Sequence, residues 1–198
     1  MELTLAMGLI GLLAVWVTPL VLNGTRTFLY LPNVSTVHQA GHDLLNAVIE
    51  GSRTGSVDFI PGLRFAKQLQ EARPTQVAFL VYAPTQATVT VRWNGTLNRC
   101  ERRVDGGPFE PLPYYAAAGL SVVPAGGAIF RYYEVSAGGS ASEVLPLCVD
   151  ADGPLLCPAD RSRVDRIHVR LQVHTGTGEL DMGHAKLVTA SAATLRIP

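Results

Sequence analysis

The stretch ELTLAMGLIGLLAVWVTPLVL, residues 2–22, decides how this chain is organised. No charged residue occurs from Leu3 to Leu22, and an apolar helix of this length, with a rise of about 1.5 Å per residue, spans roughly 30 Å, one bilayer core. The sequence therefore predicts a membrane-spanning helix over residues 3–22. Glu2 lies at the edge of the apolar run, where a carboxylate needs a partner or suits the positive end of the helix dipole.

Beyond Leu22 the pattern becomes amphipathic, with apolar residues recurring at three- and four-residue steps. The spacing predicts one long helix from Leu3 to about Glu50, which Gly51 ends. Pro19 is predicted to kink this helix without ending it. The chain thus divides into a helix, residues 1–50, and a β-rich globular domain, residues 51–198.

Alternating apolar and polar residues predict the strands of that domain. The Asn94-Gly95 pair between two alternating runs predicts a tight hairpin. The fold class we expect is α+β, with the long N-terminal helix packed on an antiparallel sheet. Residues 51–74, with a short helix at 63–72, and residues 136–160 are predicted loops. The predicted strands are 76–82, 88–93, 96–103, 128–135, 164–174 and 186–197.

Composition fits a helix plus one ordinary domain. The 198 residues are 47% hydrophobic and 16% charged, with zero net charge, which argues against disorder and against a field that attracts nucleic acid. Arg99, Arg102 and Arg103 form a basic cluster that is a candidate for DNA contact, although a solvated strand edge is the favoured interpretation. His38 and His42 share a helix face, but Gln39 stands where a zinc protease needs its glutamate.

The chain contains three cysteines. If the domain lies outside the cytoplasmic membrane, Cys148 and Cys157 can form a disulfide, which leaves Cys100 as a buried thiol. Asp150 and Asp152 lie between the pair and are candidate calcium ligands, although Gly153 and the proline after it are equally typical of a turn. No acid, base and nucleophile converge, so we expect no catalytic residues and no enzyme.

At its start the chain resembles a known family. Residues 1–13, MELTLAMGLIGLL, together with Pro19, resemble the N-termini of type IV pilins and type II secretion pseudopilins, and the rest is most similar to minor members of the PilW and GspJ kind. The family precursors carry a basic leader that is cleaved before the apolar lead and a terminus that is then methylated. Here only Met1 precedes Glu2, so whether a leader is encoded upstream stays open.

The resemblance implies a structural subunit, placed near the tip of a type IV pilus, competence pilus or type II secretion pseudopilus. Glu2 would pair with the terminal amine of an adjacent subunit, and the helix would join the helices of other subunits. Before assembly, the resemblance places the chain in the inner membrane as a single-pass protein, with its domain in the periplasm, where it meets the assembly platform. Some pseudopilins bind calcium, so the resemblance slightly favours Asp150 and Asp152 as calcium ligands. The alternative from another class is a signal-anchored periplasmic binding module.

Overall fold

The computed structural model describes residues 2–53, 59–82, 86–112, 120–175 and 186–195, and within these the side chains at 2–6, 9–10, 25–34, 175 and 186–189 fall outside the description. The described residues form two α-helices, α1 Glu2–Ile49 and α2 Pro158–Arg161, and a 3-10 turn at Leu63–Phe65. The strands are β1 Gly51–Arg53, β2 Phe59–Pro61, β3 Gln68–Ala72, β4 Gln76–Tyr82, β5 Gln86–Asn94, β6 Arg99–Val104, β7 Glu110–Pro111, β8 Leu120–Pro124, β9 Phe130–Val135, β10 Ala141–Val144, β11 Cys148–Asp150, β12 Gly153–Leu155, β13 Arg166–Thr175 and β14 Lys186–Thr194.

The strands form two five-stranded antiparallel sheets and two small hairpins. The first sheet has the order β3-β4-β5-β6-β7. In the second sheet, β13 pairs with β14 along one edge and with both β8 and β9 along the other, and β10 pairs with β9. Strands β1 and β2 form one hairpin, and β11 and β12 form the other.

Strand β13 lies at the centre of the core. Its alternating apolar residues Ile167, Val169, Leu171 and Val173 are all completely buried, as a strand with one face on a core requires. The last part of α1 packs against β13 and β14. A single cluster of buried residues includes the apolar residues of this part of the helix and of both sheets. One core therefore joins the helix and the two sheets.

Hydrogen bonds connect the two sheets directly. The Trp93 indole nitrogen in β5 donates to the carbonyl of Val122 in β8 at 2.8 Å. The hydroxyl of Tyr132 in β9 donates to the carbonyl of Arg73, just after β3, at 2.7 Å. Tyr132 is buried, and burial raises the pKa of its hydroxyl well above the usual value, so it stays a neutral donor.

The predicted fold class, an α+β fold with one sheet under a long helix whose first half spans a membrane, is wrong. Strand residues outnumber helical residues, and the strands form two five-stranded sheets and not one. The error has a physical source in two stretches that were expected to be loops. Residues 51–74 contain β1, β2 and β3, and residues 136–160 contain β10, β11, β12 and α2. Strands β3 and β10 are ordered by pairing with the neighbouring strands β4 and β9, whereas β1 with β2 and β11 with β12 form local hairpins.

The predicted inner-membrane, single-pass localisation is contradicted as well. Among the helical residues that the structure describes, no helix is both long and apolar enough to cross a membrane. The expectation came from the uncharged apolar run over residues 3–22 and from the family resemblance. In the structure this run is part of a helix that continues without a break into the segment packed on the sheets.

The strands with clear alternation are confirmed. Predicted strands 76–82, 88–93, 96–103, 128–135 and 164–174 correspond to β4, β5, β6, β9 and β13. The last predicted strand corresponds to β14, and residues 196 and 197 of that prediction lie outside the described residues. The division into residues 1–50 and 51–198 stays a prediction.

The hairpin at Asn94 is present but longer than predicted. Asn94 pairs with Arg99 across the ladder, so four residues form the turn instead of two. The Asn94 side-chain oxygen accepts the backbone N–H groups of Thr96 and Leu97, at 3.1 and 3.2 Å. This local capping by an asparagine stabilises the wider turn, and Asn98 completes it with φ 47°.

The buried end of α1 should carry much of the domain's stability. Leu44 is completely buried, whereas Asn46, two residues later on the same helix, is exposed. We expect Leu44→Ala to lower the free energy of unfolding by about 2–5 kcal/mol and Asn46→Ala to change it by less than about 0.5 kcal/mol. Urea denaturation of the full chain, followed by labelling of the buried Cys100 thiol, measures both. Equal effects of the two substitutions would contradict the packing of this helix.

Candidate functional site

The first part of α1 presents large apolar side chains to its surroundings. Between Met7 and Leu22, nine such residues have 52–76% of their surface exposed. They include Leu12, Trp16 and Leu20, and no charged residue lies between them. A soluble protein rarely exposes an apolar patch of this extent, and such patches mark surfaces that bind a partner.

The exposed apolar residues surround the helix. A helix turns by about 100° per residue, so Trp16, Val17 and Leu22 point in three directions separated by about 100° or more. All three are more than half exposed. A single partner on one side would leave part of this apolar surface in water, so complete burial requires partners on several sides.

Pro19 lies inside the continuous helix and not at its end. It has no N–H for the carbonyl of Val15, four residues earlier. The adjacent Thr18 hydroxyl donates to the carbonyl of Ala14 at 2.6 Å, so it does not replace the bond that the Val15 carbonyl loses. A shallow groove of about 520 Å³ runs along this side of the helix, past Ala14, Thr18 and Pro19. The kink predicted at Pro19 stays a prediction.

Glu2 is the first residue of α1, but its side chain falls outside the description. Its pairing with a neighbouring terminus therefore stays a prediction. His38 and His42 are exposed on the polar side of the helix's packed part. In the part of the chain that is described, no three His, Cys, Asp or Glu residues come together to hold a metal ion.

The disulfide between Cys148 and Cys157 is confirmed, with the two Cα atoms 5.2 Å apart. It ties the β11–β12 hairpin to the start of α2. A second link holds the same hairpin to the first sheet. The buried Arg73 guanidinium donates to both carboxylate oxygens of Asp150, with 2.8 Å for the longer bond, and also contacts Glu71.

This ion pair occupies the carboxylate of Asp150, one of the two candidate calcium ligands. Hydrogen bonds from Arg73 lower the pKa of Asp150, and the neighbouring carboxylates raise the pKa of Arg73. Asp152 is 86% exposed, and its carboxylate lies 3.8 Å from the same guanidinium. Calcium at Asp150 would have to displace a cation that already occupies both carboxylate oxygens.

The basic cluster is divided between the two faces of β6. Arg99 donates to the buried carboxylate of Glu101 at 2.9 Å, while Arg103 stacks on the Phe109 ring at 4.6 Å. Arg102 points to the opposite, buried face, where burial lowers its pKa while Glu110 raises it. The three arginines therefore do not form one basic surface, and DNA contact stays a prediction.

Sequence reasoning missed two polar networks. One joins Arg73 to Asp150, which lie 77 residues apart. The other surrounds Glu101, where burial opposes ionisation but hydrogen bonds from Arg92, Asn94 and Arg99 lower the pKa of the carboxyl. In the sequence, Glu101 is visible only as a charged residue within a predicted strand. Neither Glu101 nor Arg73 carries a local pattern that indicates its distant partners.

Cys100 is a buried thiol, as predicted. Burial, with a further contribution from Glu101, raises the pKa of the thiol to about 12. Because the thiolate is the reactive form, Cys100 should be inert in the folded protein at neutral pH.

The exposed apolar part of α1 is the surface on which a functional proposal can be based. No protein-family model, no curated protein and no solved structure matches this chain.

Removal of the disulfide should destabilise the domain. We expect the double substitution Cys148→Ser and Cys157→Ser to lower the free energy of unfolding by about 2–4 kcal/mol, since it frees a short loop in the unfolded chain and releases the β11–β12 hairpin. Urea denaturation with and without reductant measures the effect. A wild-type protein with the same stability in both conditions would contradict it, and the double variant serves as the reductant-insensitive control.

The Arg73–Asp150 pair should make stability depend on pH. Because the folded-state pKa of Asp150 is lowered, its contribution is present above the unfolded pKa of about 3.9 and is lost as pH falls through the folded value. Asp150→Asn should therefore unfold at lower urea than wild type at pH 5–7, with the difference shrinking below about pH 4. Asp152→Asn is the control. A larger effect of Asp152→Asn would show that the pair is unimportant.

Proposed function

We propose that this chain is a structural subunit of the minor pilin or pseudopilin kind, which joins an assembly by burying the first part of α1 against the helices of neighbouring subunits. The observation that carries the proposal is the exposure of large apolar side chains on all sides of the helix between Met7 and Leu22. The resemblance of residues 1–13 and Pro19 to the N-termini of that family supports the same function.

The free energy available from such burial is large. Each Val or Leu side chain that moves from water to a packed interface contributes about 1.5–3 kcal/mol. Several such side chains between Leu12 and Leu22 are more than half exposed. Their combined burial is large enough to offset the loss of translational and rotational freedom on association, which costs about 4–15 kcal/mol.

The other parts of the chain fit a subunit whose helix is fixed to its own sheets at one end and binds neighbours at the other. The buried end of α1, from Val37 to Ile49, fixes the helix to the β-rich part. The exposed part of the helix is left for neighbours, and the sheets would face outward, where they distinguish this subunit from others. In this proposal Glu2 lies at the tip of the helix and pairs with the terminal amine of an adjacent subunit.

Cysteine cross-linking tests the proposal. Cys100 is buried and the other two cysteines form a disulfide, so a cysteine introduced on the helix is the only accessible thiol. We expect Leu12→Cys and Val17→Cys, which point to different sides, both to give cross-linked dimers of the full chain when oxidised. Gel electrophoresis without reductant detects the products.

His38→Cys is the matched control, because this residue is exposed on the same helix but on its polar side. It should give few dimers. Cross-linking at position 12 or 17 alone would indicate a simple dimer and contradict a subunit surrounded by neighbours. Cross-linking no greater than that of His38→Cys at either position would overturn the proposal.

A further inference from the structure

A cleft lies between the edge of the first sheet and α2, far along the chain from the exposed helix. It has a volume of about 550 Å³, in the range of small-molecule sites. Lys67 and Leu69 line it from the β3 edge, Tyr82 from the end of β4, and Arg161 and Ser162 from the end of α2. The lining therefore combines two cations, an aromatic ring, an aliphatic side chain and a hydroxyl.

The two cations of the cleft are not neutralised by acidic residues in the described part of the chain. Arg161 donates to two backbone carbonyls, those of Leu156 and Gln70, and these carry no net charge. Lys67 forms no ion pair with a described residue, and the described residues that line the cleft include no Asp or Glu. The nearby Asp160 is paired with Arg163.

The geometry of Arg161 is fixed before any ligand arrives. Its two bonds to carbonyls hold the side chain between α2 and β3, so little conformational freedom remains to be lost on binding. The guanidinium presents further N–H groups in a planar fork that suits a carboxylate. Ser162 donates its hydroxyl hydrogen to the carbonyl of Ala159 at 3.0 Å, so the anionic group would be held by the two cations and not by this hydroxyl.

The rest of the cleft suits a ring or an apolar group. Tyr82, the last residue of β4, has 58% of its surface exposed, whereas the five residues before it are buried. Leu69 is buried in the floor of the same cleft. An aromatic side chain beside an aliphatic floor provides contact area for a flat, weakly polar body.

We propose that this cleft binds a small organic carboxylate, with the anionic group between Lys67 and Arg161 and the ring or apolar body against Tyr82 and Leu69. The proposal is independent of the assembly function, since none of these residues lies on α1. A carboxylate paired with a lysine and an arginine in a partly enclosed cleft gains charge-assisted hydrogen bonds, and the apolar body excludes water from them.

Benzoate is a suitable probe, because it combines a carboxylate with a flat ring. The chain contains two lysines, Lys67 and Lys186, so reductive methylation with ¹³C-formaldehyde, which keeps the charge, gives a small set of signals. We expect benzoate, titrated into the full chain in a non-ionic detergent, to shift the Lys67 signal saturably. The expected dissociation constant is roughly 1 mM, and the Lys186 signal should not respond.

Two comparison ligands separate the parts of the site. Benzyl alcohol keeps the ring but lacks the charge, and inorganic phosphate keeps the charge but lacks the ring. Both should bind at least about tenfold more weakly than benzoate, the scale of one lost charge-assisted hydrogen bond or one lost aromatic contact. Binding of phosphate as tight as that of benzoate would overturn the assignment of an organic carboxylate.

Substitutions of exposed residues complete the test without disturbing the core. Lys67→Gln should weaken benzoate binding about tenfold, as read from backbone amide shifts, and Tyr82→Ala should weaken it by a similar factor. Arg64→Gln is the matched control, because Arg64 is exposed nearby but pairs with Glu50 outside the cleft. The proposal is overturned if Arg64→Gln has the same effect as Lys67→Gln, or if benzoate shifts neither lysine signal.

Discussion

The structure depends on the complete burial of one face of β13. Ile167, Val169, Leu171 and Val173 have no exposed surface, and the strand pairs with β14 on one edge and with β8 and β9 on the other. The packed end of α1 covers the same region. A helix can be fixed in this way only along the length of the strand that it covers. The first part of α1 extends beyond this contact, and its described apolar side chains between Met7 and Leu22 are exposed.

A second constraint concerns the hairpin of β11 and β12, which has little core of its own. The disulfide between Cys148 and Cys157 closes it at one end, and the ion pair of Arg73 with Asp150 ties it to the first sheet. An arginine this well buried is stable only because carboxylates surround it. The same pairing takes the oxygen atoms that a calcium ion would have used.

Local pattern was sufficient for part of the fold. The alternation in β13 predicts that strand, because a strand with one buried face must alternate. Strand β4 is buried on both faces from Val77 to Val81, and its continuous apolar run is typical of such a strand. The short strands β1, β2 and β10 could not be found in this way. Each of them has three or four residues, too few to show a pattern, and their order comes from pairing, β1 with β2 and β10 with β9. The wider turn at Asn94 was missed for a similar reason, since an asparagine side chain can cap a four-residue turn as well as start a two-residue turn.

The candidate functional surfaces also differ in how far the sequence alone predicts them. The apolar run of α1 is visible in the sequence, and the structure adds only that its side chains are exposed on all sides. The cleft between β3 and α2 is not visible in the sequence, because Lys67, Tyr82 and Arg161 are brought together by strand pairing and by the packing of α2. The Arg73 network has the same origin. Clusters of this kind follow from tertiary structure and cannot be predicted from spacing.

The most direct test of the account is photocrosslinking at position 16 in cells that make the protein. Trp16 lies in the middle of the exposed apolar helix and can be replaced by p-benzoylphenylalanine, an aromatic residue of similar character. The account predicts adducts with protein, and mass spectrometry should locate the crosslink in an apolar helix of the neighbouring subunit. Adducts with lipid alone, or no adduct, would contradict the claim that neighbouring subunits cover this helix.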